Sequence, residues 1–390
     1  MKKLFIVFLL FSFYFQTFAQ QSLKDLSFGT NQTFDVVTWN VEWFPKNGSI
    51  TIDSVKEIIQ AMDADIIACQ EISDTTAWKN MVNSIGGYEA IFFPGRYRGL
   101  AYVYKTSTVQ IQDFYKIYSA SQYSNNFPRA PKVLDVTFNG QSFIIINNHL
   151  KCCGDGTLSA NNSSDEENRR FQAMNLIKSY IDNNFTDKNV ILLGDLNDNL
   201  GDVYYNNVFQ TVLDDPQNYK FVDLSIANGL GFDWSYPNWP SHLDHILISN
   251  ELFDDFDNTN SSISTIMVDN FMAGGFNEYD AKVSDHRPVG LKLSLNNWGV
   301  NTKNEPSEQI HLSVFPTPAT DQLNIEMINN KEEITSISIV NVTGQTLLKK
   351  PWETQTQRMT LDIQDLESGV YFVVIQTNNS IITRTFLSVK

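Results

Sequence analysis

Cysteine and basic residues are scarce in this sequence. Only 3 of its 390 residues are cysteines, and 28 Lys and Arg stand against 44 Asp and Glu, so the net charge is −16. Three cysteines without Cys-x-x-Cys spacing argue against a structural zinc site. The acidic excess repels polyphosphates at long range, which argues against a protein that coats nucleic acid non-specifically. An enzyme that meets phosphate through a bound cation stays compatible with this charge.

Long apolar runs are absent beyond the N-terminus. The one such run covers residues 4–15, follows Lys2 and Lys3, and precedes Ala19. A positive start, an apolar stretch and a small residue before the cut are typical of a secretory signal peptide. The run is shorter than the roughly 20 residues that span a bilayer. We therefore predict a signal peptide at residues 1–19 and no stable membrane span.

The three cysteines fall in two different settings. Cys69 lies in an apolar run, which predicts a buried and inert thiol. Cys152 and Cys153 are adjacent, and in an oxidising compartment they can form a vicinal disulfide, or one of them can pair with Cys69. The sequence leaves these pairings open.

Strand and helix patterns alternate over residues 32–296, whereas residues 311–390 contain only short strand patterns. The segment 297–310 between them is polar, which predicts a linker between two domains. Strands that meet both helices and other strands predict a mixed α/β (α+β) sandwich for the first domain. About 80 residues of short strands with turn glycines predict a small all-β sandwich for the second domain.

Capping residues predict the starts of two helices in the first domain. Asp53 begins a segment that ends at Met62 and whose apolar residues repeat with helical spacing, so Asp53 is the predicted N-cap. Ser164 is followed three residues later by Glu167. This is the pattern of a capping box, and it predicts that the next helix begins at Ser164.

Polar residues cluster where the predicted apolar strands end. The clusters lie at residues 38–40, 70–71, 147–151, 194–197, 242–245 and 284–288. Four of the five histidines lie inside them. Each cluster alone has an ordinary explanation, because Gly, Asp and Asn are the commonest turn residues. Together, at successive strand ends, they predict one shared site.

Oxygen ligands in these clusters predict a divalent-cation site. Asn40, Glu71 and Asp285 carry the amide and carboxylate oxygens that hard divalent cations prefer. Hydrolysis of an anionic phosphoester needs such a cation to neutralise the phosphate and the leaving oxygen. We therefore predict Mg²⁺ as the cofactor, with Mn²⁺ or Ca²⁺ as alternatives.

Acid–base residues stand beside these ligands. Asp195 or a histidine can orient or deprotonate water, and Asn197 is a neutral donor for phosphoryl oxygens. A buried carboxylate next to an imidazole can fix the protonation state of the imidazole, and Asp244 next to His286 fits this arrangement. His149 taken alone can equally be a hydrogen-bonded core histidine.

Six motifs occur in a fixed order along the first domain. They are Thr-Trp-Asn-Val at 38–41, Gln-Glu at 70–71, Asn-His-Leu at 148–150, Gly-Asp-Leu-Asn at 194–197, Leu-Asp-His-Ile-Leu at 243–247 and Ser-Asp-His-Arg-Pro-Val at 284–289. This ordered set, over residues 34–295, resembles the endonuclease/exonuclease/phosphatase superfamily, which includes secreted deoxyribonucleases, sphingomyelinases and inositol-phosphate 5-phosphatases. The resemblance implies a four-layer α/β sandwich.

The resemblance also implies a role for each motif residue. The implied metal-holding residues are Asn40, Glu71 and Asp285, and the implied catalytic residues are His149, Asp195, Asn197, Asp244 and His286. Asp195 positions the attacking water, while Asn197 and His149 contact the phosphate. Asp244 orients His286, which serves as general acid/base or as a stabiliser of the phosphate.

One departure from the family pattern is His245, where many relatives have an aromatic residue. We interpret His245 as a packing residue, with an extension of the site's hydrogen-bond network as the alternative, and we place His242 at the rim. Asn148, Arg98 and Lys151 are the predicted substrate-binding residues, because polar and basic side chains near the mouth can contact a phosphate backbone.

The last domain carries motifs of its own. They are Ser-Val-Phe-Pro-Thr-Pro-Ala at 313–319, Asn-Val-Thr-Gly-Gln at 341–345 and Leu-Glu-Ser-Gly-Val-Tyr at 366–371. These motifs resemble the type A sorting domain of the type IX secretion system, although Thr317 replaces the usual Asn between two prolines. The resemblance implies that residues 311–390 engage this machinery and that the protein is secreted or displayed on the surface of a Bacteroidetes-like bacterium. A carbohydrate- or partner-binding β-sandwich is the alternative.

The expected activity is metal-dependent hydrolysis of DNA or RNA by a secreted monomer. The second expectation is a sphingomyelinase-like phospholipid phosphodiesterase or another phosphoesterase. An inositol-phosphate 5-phosphatase is disfavoured, because Leu193 stands where that group has Trp before Gly-Asp. A non-catalytic surface binding protein is the alternative from a different class, and the full set of catalytic-type residues argues against it.

Overall fold

The computed structural model describes residues 22–93, 99–296, 312–315, 319–327, 334–341, 344–352, 358–377 and 381–390. The chain divides into two compact units, Met1–Trp298 and Gly299–Lys390. The predicted signal peptide at 1–19, the predicted linker at 297–310 and Arg98 lie outside the described residues, so these three stay predictions.

Twelve described strands of the first unit form two six-stranded sheets. They are β1 (Phe34–Phe44), β2 (Ile66–Ile72), β3 (Tyr88–Phe93), β4 (Gly99–Lys105), β5 (Val109–Lys116), β6 (Lys132–Phe138), β7 (Gln141–His149), β8 (Asn189–Asp195), β9 (Tyr219–Phe221), β10 (Asp244–Ser249), β11 (Ser262–Thr265) and β12 (Val289–Leu293). The order is β11-β12-β1-β2-β4-β3 in one sheet and β5-β6-β7-β8-β10-β9 in the other. β1 pairs with β2, and β7 with β8, in parallel, while the other pairs are antiparallel.

Helices connect these strands and cover the outer faces of the sheets. They are α1 (Ser49–Met62), α2 (Thr75–Asn83), α3 (Glu166–Asn184), α4 (Gln210–Leu213), α5 (Leu224–Ala227), α6 (Phe253–Phe256) and α7 (Gly275–Lys282). None of the helices among the described residues is both long and apolar enough to cross a membrane.

Both helix starts differ from the capping predictions. α1 begins earlier, after Gly48, because Thr51 accepts a hydrogen bond from the Asn47 backbone and donates to the carbonyl of Lys282. Asp53 therefore lies inside α1 and is not its cap. These contacts reach 231 residues along the chain, so the local pattern could not reveal them.

The start of α3 shows a similar shift. Its N-cap is Asp165, whose carboxylate accepts a hydrogen bond from the Asn168 backbone at 2.7 Å, so the predicted capping box at Ser164 is wrong. Glu167 does not reach back to the cap. Its carboxylate accepts from the Gly156 backbone at 2.8 Å and pairs with Arg170 at 3.3 Å.

Three apolar clusters show that the first unit has four layers. The cluster between the sheets contains Val36 of β1 and Ile145 of β7, both fully buried. A second cluster joins the first sheet to α1 through residues such as Ile58. A third joins the second sheet to α3 through residues such as Ile177. The order is helix, sheet, sheet, helix, as predicted, because each sheet buries one face on its partner and the other under helices.

The second unit is all-β within its described residues. Its strands are β13 (Leu312–Phe315), β14 (Gln322–Met327), β15 (Ile334–Asn341), β16 (Thr346–Pro351), β17 (Arg358–Asp362), β18 (Gly369–Thr377) and β19 (Ile381–Ser388). They form a three-stranded sheet, β13-β14-β17, and a four-stranded sheet, β16-β15-β18-β19. Leu323 and Leu361 from one sheet and Ile337 and Val373 from the other share one buried cluster, which confirms the predicted small β-sandwich.

Candidate active site

Four strand ends meet at one edge of the sandwich. In the parallel pair β1 and β2, Asn40 lies opposite Gln70, the neighbour of Glu71. In the parallel pair β7 and β8, His149 lies opposite Asp195. Parallel strands end at the same edge of their sheet, so each pair delivers its last polar residues together.

Two antiparallel strands complete the same edge. β10 begins at Asp244, which lies opposite Asp195. β12 is preceded by residues 284–288, and its first residue, Val289, lies opposite Thr38. An antiparallel strand begins at the edge where its neighbour ends, so its first residues lie beside the last residues of that neighbour.

The polar residues at this edge line a cleft of about 840 Å³. The predicted site residues in its wall are Asn40, Glu71, His149, Asp195, Asn197, Asp285 and His286. Asp244 lies behind His286 and is fully buried. The structure thus brings together all eight residues that the motifs assigned to metal or catalysis.

Asp195 lies at the centre of this cleft. Its carboxylate accepts a hydrogen bond from the Asn40 side-chain amide at 2.9 Å and one from the Asn197 backbone at 3.1 Å. The Nε2 atom of His149 is 3.3 Å from the same carboxylate. Burial raises the pKa of Asp195 to about 7, and the charges of Asp244 and Glu71 act in the same direction.

His286 and Asp244 form a buried pair. The Nδ1 atom of His286 lies 2.7 Å from the Asp244 carboxylate, and its Nε2 atom lies 3.9 Å from the carboxylate of Asp195. Burial disfavours the imidazolium, but the charges of Asp244 and Asp195 outweigh burial and raise the pKa of His286 to about 10. His286 is therefore an imidazolium at neutral pH, with Nδ1–H donating to Asp244.

Tyr236 covers the other side of His286. The two ring centroids are 4.8 Å apart, and Tyr236 lines the cleft. Tyr236 belongs to the loop that precedes β10. In the same loop, Trp239 is 79% exposed. Two cross-loop bonds between Tyr236 and Ser241 shape this loop, a pairing that a periodicity argument does not detect.

Glu71 and Asp285 both line the cleft. Glu71 accepts a hydrogen bond from the Trp43 backbone at 3.2 Å, and Asp285 donates its backbone N–H to Glu42 at 2.9 Å. Burial raises the pKa of Asp285, and the charge of Glu71 adds to this effect. The Oδ1 atom of Asp285 is buried and makes no hydrogen bond among the described residues.

Glu42 is a cleft residue that the sequence analysis missed. Its carboxylate also pairs with Lys46, which reaches Asp280 at 3.1 Å. Strand alternation gave no signal for it, because β1 is irregular between Asn40 and Phe44 and Glu42 and Trp43 have φ of 30° and 57°.

The turn after β8 depends on backbone conformations that a side chain rarely adopts. Gly194 has φ of 145°, and a Cβ there would lie 2.0 Å from the Asn148 carbonyl oxygen. Asn197 has φ of 57°, in the left-handed region that asparagine tolerates. This explains why Gly and Asn occupy these positions in the turn that carries Asp195.

Two of the predicted substrate-binding residues, Asn148 and Lys151, do not lie in the cleft wall. Asn148 is 1% exposed and donates to the Ile146 carbonyl at 3.2 Å. Lys151 points to Glu166, at 3.6 Å. Neither residue lines the cleft that the described residues form.

Arg170 forms an ion pair and hydrogen bonds with other residues of the protein. It pairs with the Asp198 carboxylate at 2.8 Å and donates to the carbonyls of Lys151 and Cys153, each at 2.7 Å.

The cleft wall carries eight carboxylates, from Glu42, Glu71, Asp155, Glu167, Asp195, Asp198, Asp202 and Asp285. Within the described wall, this negative charge favours a bound divalent cation.

The cysteines are free thiols. Cys69 is fully buried, as predicted, and burial raises its pKa. Cys152 and Cys153 are exposed at the cleft wall, with their sulfur atoms 3.0 Å apart. Pairing with Cys69 would require a core thiol to reach an exposed loop, so the adjacent pair is the better-placed of the two alternatives.

His242 and His245 form a second buried cluster with Asp223. His242 is 1% exposed, so its predicted place at the rim is wrong, and its Nε2 atom lies 3.1 Å from the Asp223 carboxylate. His245 lies 2.6 Å from the same carboxylate. Asp223 carries no signal in the sequence, because it follows a three-residue strand remote from every motif.

Two sequence families match this chain. Residues 37–286 match the Endonuclease/Exonuclease/phosphatase family, and residues 313–389 match the Secretion system C-terminal sorting domain. No curated protein has a sequence that matches the chain significantly. The C-terminal match points to secretion or to the cell surface.

The solved structures that are similar to this chain have low sequence identity to it. TDP2 of D. rerio complexed with single strand DNA product is 13% identical, with a TM-score of 0.51 over 68% of this chain and 100% of that chain. The human Nocturnin catalytic domain with bound sulfate anion is 15% identical, with a TM-score of 0.47 over 67% and 94%. An endonuclease/exonuclease/phosphatase from Bacteroides vulgatus is 15% identical, with a TM-score of 0.48 over 67% and 99%.

The first family match spans well over half of the chain and contains the strand ends that line the cleft. The two-sheet architecture agrees with the fold of the first of these solved structures. The chain belongs to the Endonuclease/Exonuclease/phosphatase family.

Proposed function

We propose that this protein is a secreted, divalent-metal-dependent phosphodiesterase that hydrolyses DNA or RNA. One observation carries the proposal. In a member of this family, a buried Asp244–His286 pair and a buried Asp195 held by Asn40 open into the same acidic cleft. We further propose export by the type IX system of a Bacteroidetes-like bacterium, and action as a monomer.

A divalent cation suits the residues of this cleft. Asn40, Glu71 and Asp285 would hold it through oxygen atoms, the donors that Mg²⁺, Mn²⁺ and Ca²⁺ prefer. The buried Oδ1 atom of Asp285 lacks a hydrogen-bond partner among the described residues, and the carboxylate of Glu71 raises the pKa of Asp285. When bound, the cation supplies positive charge for the phosphate and the leaving oxygen.

Asp195 is the proposed acceptor of the water proton. A base works best when its pKa is near the working pH, and burial raises the pKa of Asp195 to about 7. The Asn40 amide and the Asn197 backbone N–H hold its carboxylate in place. The water oxygen then attacks phosphorus, and the bond between phosphorus and the leaving oxygen breaks.

His286 is the proposed stabiliser of a phosphoryl oxygen. In-line displacement puts the attacking water and the leaving oxygen on opposite sides of phosphorus. His286 Nε2 lies only 3.9 Å from the Asp195 carboxylate, so it faces the side from which water attacks. The positive charge of His286 is therefore better placed to stabilise the phosphoryl oxygens than the leaving oxygen. Asn197 and His149 supply further donors to the same phosphoryl oxygens.

A phospholipid is the second candidate substrate, because Trp239 is exposed at the cleft wall and other apolar side chains of the first unit are exposed as well. Tyr205 is 85% and Trp239 79% exposed, and Leu230 and Phe232 are 67% and 63% exposed. Exposed aromatic loops of this kind suit contact with a lipid surface. The same rings can stack on unpaired bases.

Turnover by the purified protein separates these candidates. The substrates are plasmid DNA, RNA, sphingomyelin vesicles and bis-p-nitrophenyl phosphate, each with Mg²⁺, Mn²⁺, Ca²⁺ or a chelator. We expect metal-dependent cleavage of nucleic acid that is lost in Asp195→Asn and kept in Asp257→Asn, a surface carboxylate paired with Lys220. Cleavage of sphingomyelin alone would transfer the mechanism to lipid, and no turnover on any substrate would contradict the proposal.

A further inference from the structure

The buried cluster of Asp223, His242 and His245 contains two histidines in different protonation states. The His242 Nδ1 atom accepts a hydrogen bond from the Ser235 backbone at 3.2 Å, so its Nε2 atom carries the proton that is donated to Asp223. His242 is therefore neutral. Because Nε2–H is used as a donor, His242 has no lone pair left for a metal ion.

His245 faces acceptors on both sides. Its Nδ1 atom lies 2.6 Å from the Asp223 carboxylate, and its Nε2 atom lies 2.8 Å from the carbonyl oxygen of Asp198. A backbone carbonyl and an ionised carboxylate only accept, and the two histidines lower the pKa of Asp223, so both ring nitrogens of His245 carry protons and His245 is an imidazolium. Burial opposes this charge, but the carboxylate of Asp223 outweighs burial and raises the pKa of His245.

The carbonyl that His245 holds belongs to the turn of the candidate active site. Asp198 follows Asn197 directly, and Asn197 donates its backbone N–H to Asp195 at 3.1 Å. Arg170 holds Asp198 from its other end, through the carboxylate at 2.8 Å. The turn is thus fixed at the backbone by His245 and at the side chain by Arg170.

We propose that His245, charged by Asp223, is a positioning residue that holds the turn carrying Asp195 and Asn197. The proposal rests on the phosphodiesterase function proposed above and adds a residue that does not contact the substrate. Successive residues of a strand point to opposite faces, so β10 directs Asp244 to His286 and His245 to the turn. One strand therefore aligns both halves of the proposed machinery.

A matched pair of glutamine variants tests this role. A glutamine amide offers one acceptor oxygen and one donor nitrogen, so in His242→Gln it can replace the neutral imidazole. In His245→Gln it cannot donate in two opposite directions, and the Asp198 carbonyl or Asp223 loses its donor. Both variants alter the same buried cluster, and both are compared with wild type below their unfolding temperatures.

We expect His245→Gln to lower kcat on bis-p-nitrophenyl phosphate by about 10- to 100-fold, the cost of a misplaced catalytic group, with a smaller change in KM. Hydrogen exchange of the backbone amides at residues 196–199 should become faster in this variant. His242→Gln should change neither readout. Equal kcat and equal exchange in the two variants would overturn the proposal.

The hydrogen-exchange readout does not require activity. If wild type cleaves no substrate, the proposed function fails, while exchange at residues 196–199 still decides the role of His245. If His245→Gln does not fold, His245→Phe serves as the second variant. A phenyl ring donates to neither Asp198 nor Asp223, so we expect faster exchange at the same residues, and unchanged exchange would contradict the proposal.

Discussion

At the scale of single residues, the site is defined by how buried charges are balanced. Asp244 and His286 form a paired anion and cation, so each offsets the cost of burying the other. Asp195 lies 3.9 Å from His286 Nε2, and burial raises its pKa to about 7. The result is a protonated histidine beside a carboxyl group that titrates near neutral pH, as a base for water requires.

The raised pKa of His286 predicts how stability depends on pH. The pKa is about 10 in the folded protein against 6.5 for an unperturbed histidine. The contribution of His286 to the free energy of unfolding is therefore fully present below pH 6.5 and is lost as the pH rises towards 10. Asp195 acts in a lower window, because its raised pKa destabilises the fold as the pH rises from 3.8 towards 7.

We expect the free energy of unfolding of metal-free protein to fall between pH 7 and 10 by up to about 1.4 kcal/mol per pH unit. In His286→Gln this slope should be shallower. Urea unfolding of both proteins at several pH values measures the difference. Identical slopes would show that His286 does not titrate in this window.

At the scale of elements, the site depends on six strand ends reaching one edge. The register places Asp195 opposite both His149 and Asp244, so β8 is the central strand of the site in its sheet. β8 can take this place because Gly194 lets the Asn148 carbonyl approach, where a Cβ would be 2.0 Å away. The glycine thus serves the pairing of β7 with β8.

Gly194→Ala should therefore weaken the sheet at the site. The variant forces a clash with backbone and a φ of 145° on an alanine, and we expect a loss of about 2 kcal/mol or more of unfolding free energy together with turnover. Gly86→Ala is the control, because a Cβ there meets open space. Thermal unfolding compares the two, and equal melting temperatures would contradict the role of Gly194.

At the scale of the whole molecule, the candidate active site and the match to the sorting domain lie in different units. The residues that line the cleft all lie in Met1–Trp298, and the match to the sorting domain begins at residue 313. The apolar clusters are also separate, since the described residues that form or pack against the cluster of the second unit run from Val314 to Phe386. Each unit thus has the buried core that an independent domain needs.

Removal of residues 313–389 should block export and leave turnover unchanged. Fractionation of the producing bacterium compares the shortened chain with full-length Asp195→Asn, which we expect to be exported but inactive. Activity assays on the purified shortened chain complete the test. Export of the shortened chain, or loss of its turnover, would show that the two roles are not separable.

The sequence by itself determined the fold class and the residue types of the site. Apolar runs of strand length ending in Asn40, Glu71 and Asp195 are local features, and their period and composition can be read without neighbours. The motifs supplied the pairing of Asp244 with His286, which the structure reproduces at 2.7 Å. The helix starts could be predicted less well from the sequence, because contacts with distant residues shift them, as the hydrogen bond from Thr51 to the Lys282 carbonyl shows.

Only the tertiary structure decided which residues face the cleft and which carry a proton. Glu42, Asp223 and Tyr236 belong to no motif, and they acquire their places through contacts 19 to 243 residues away. His242 and His245 are three residues apart, yet one is neutral and the other charged, because a backbone N–H faces one and a carbonyl faces the other. Protonation depends on the atoms around a group in space, and that arrangement exists only after the strands have paired.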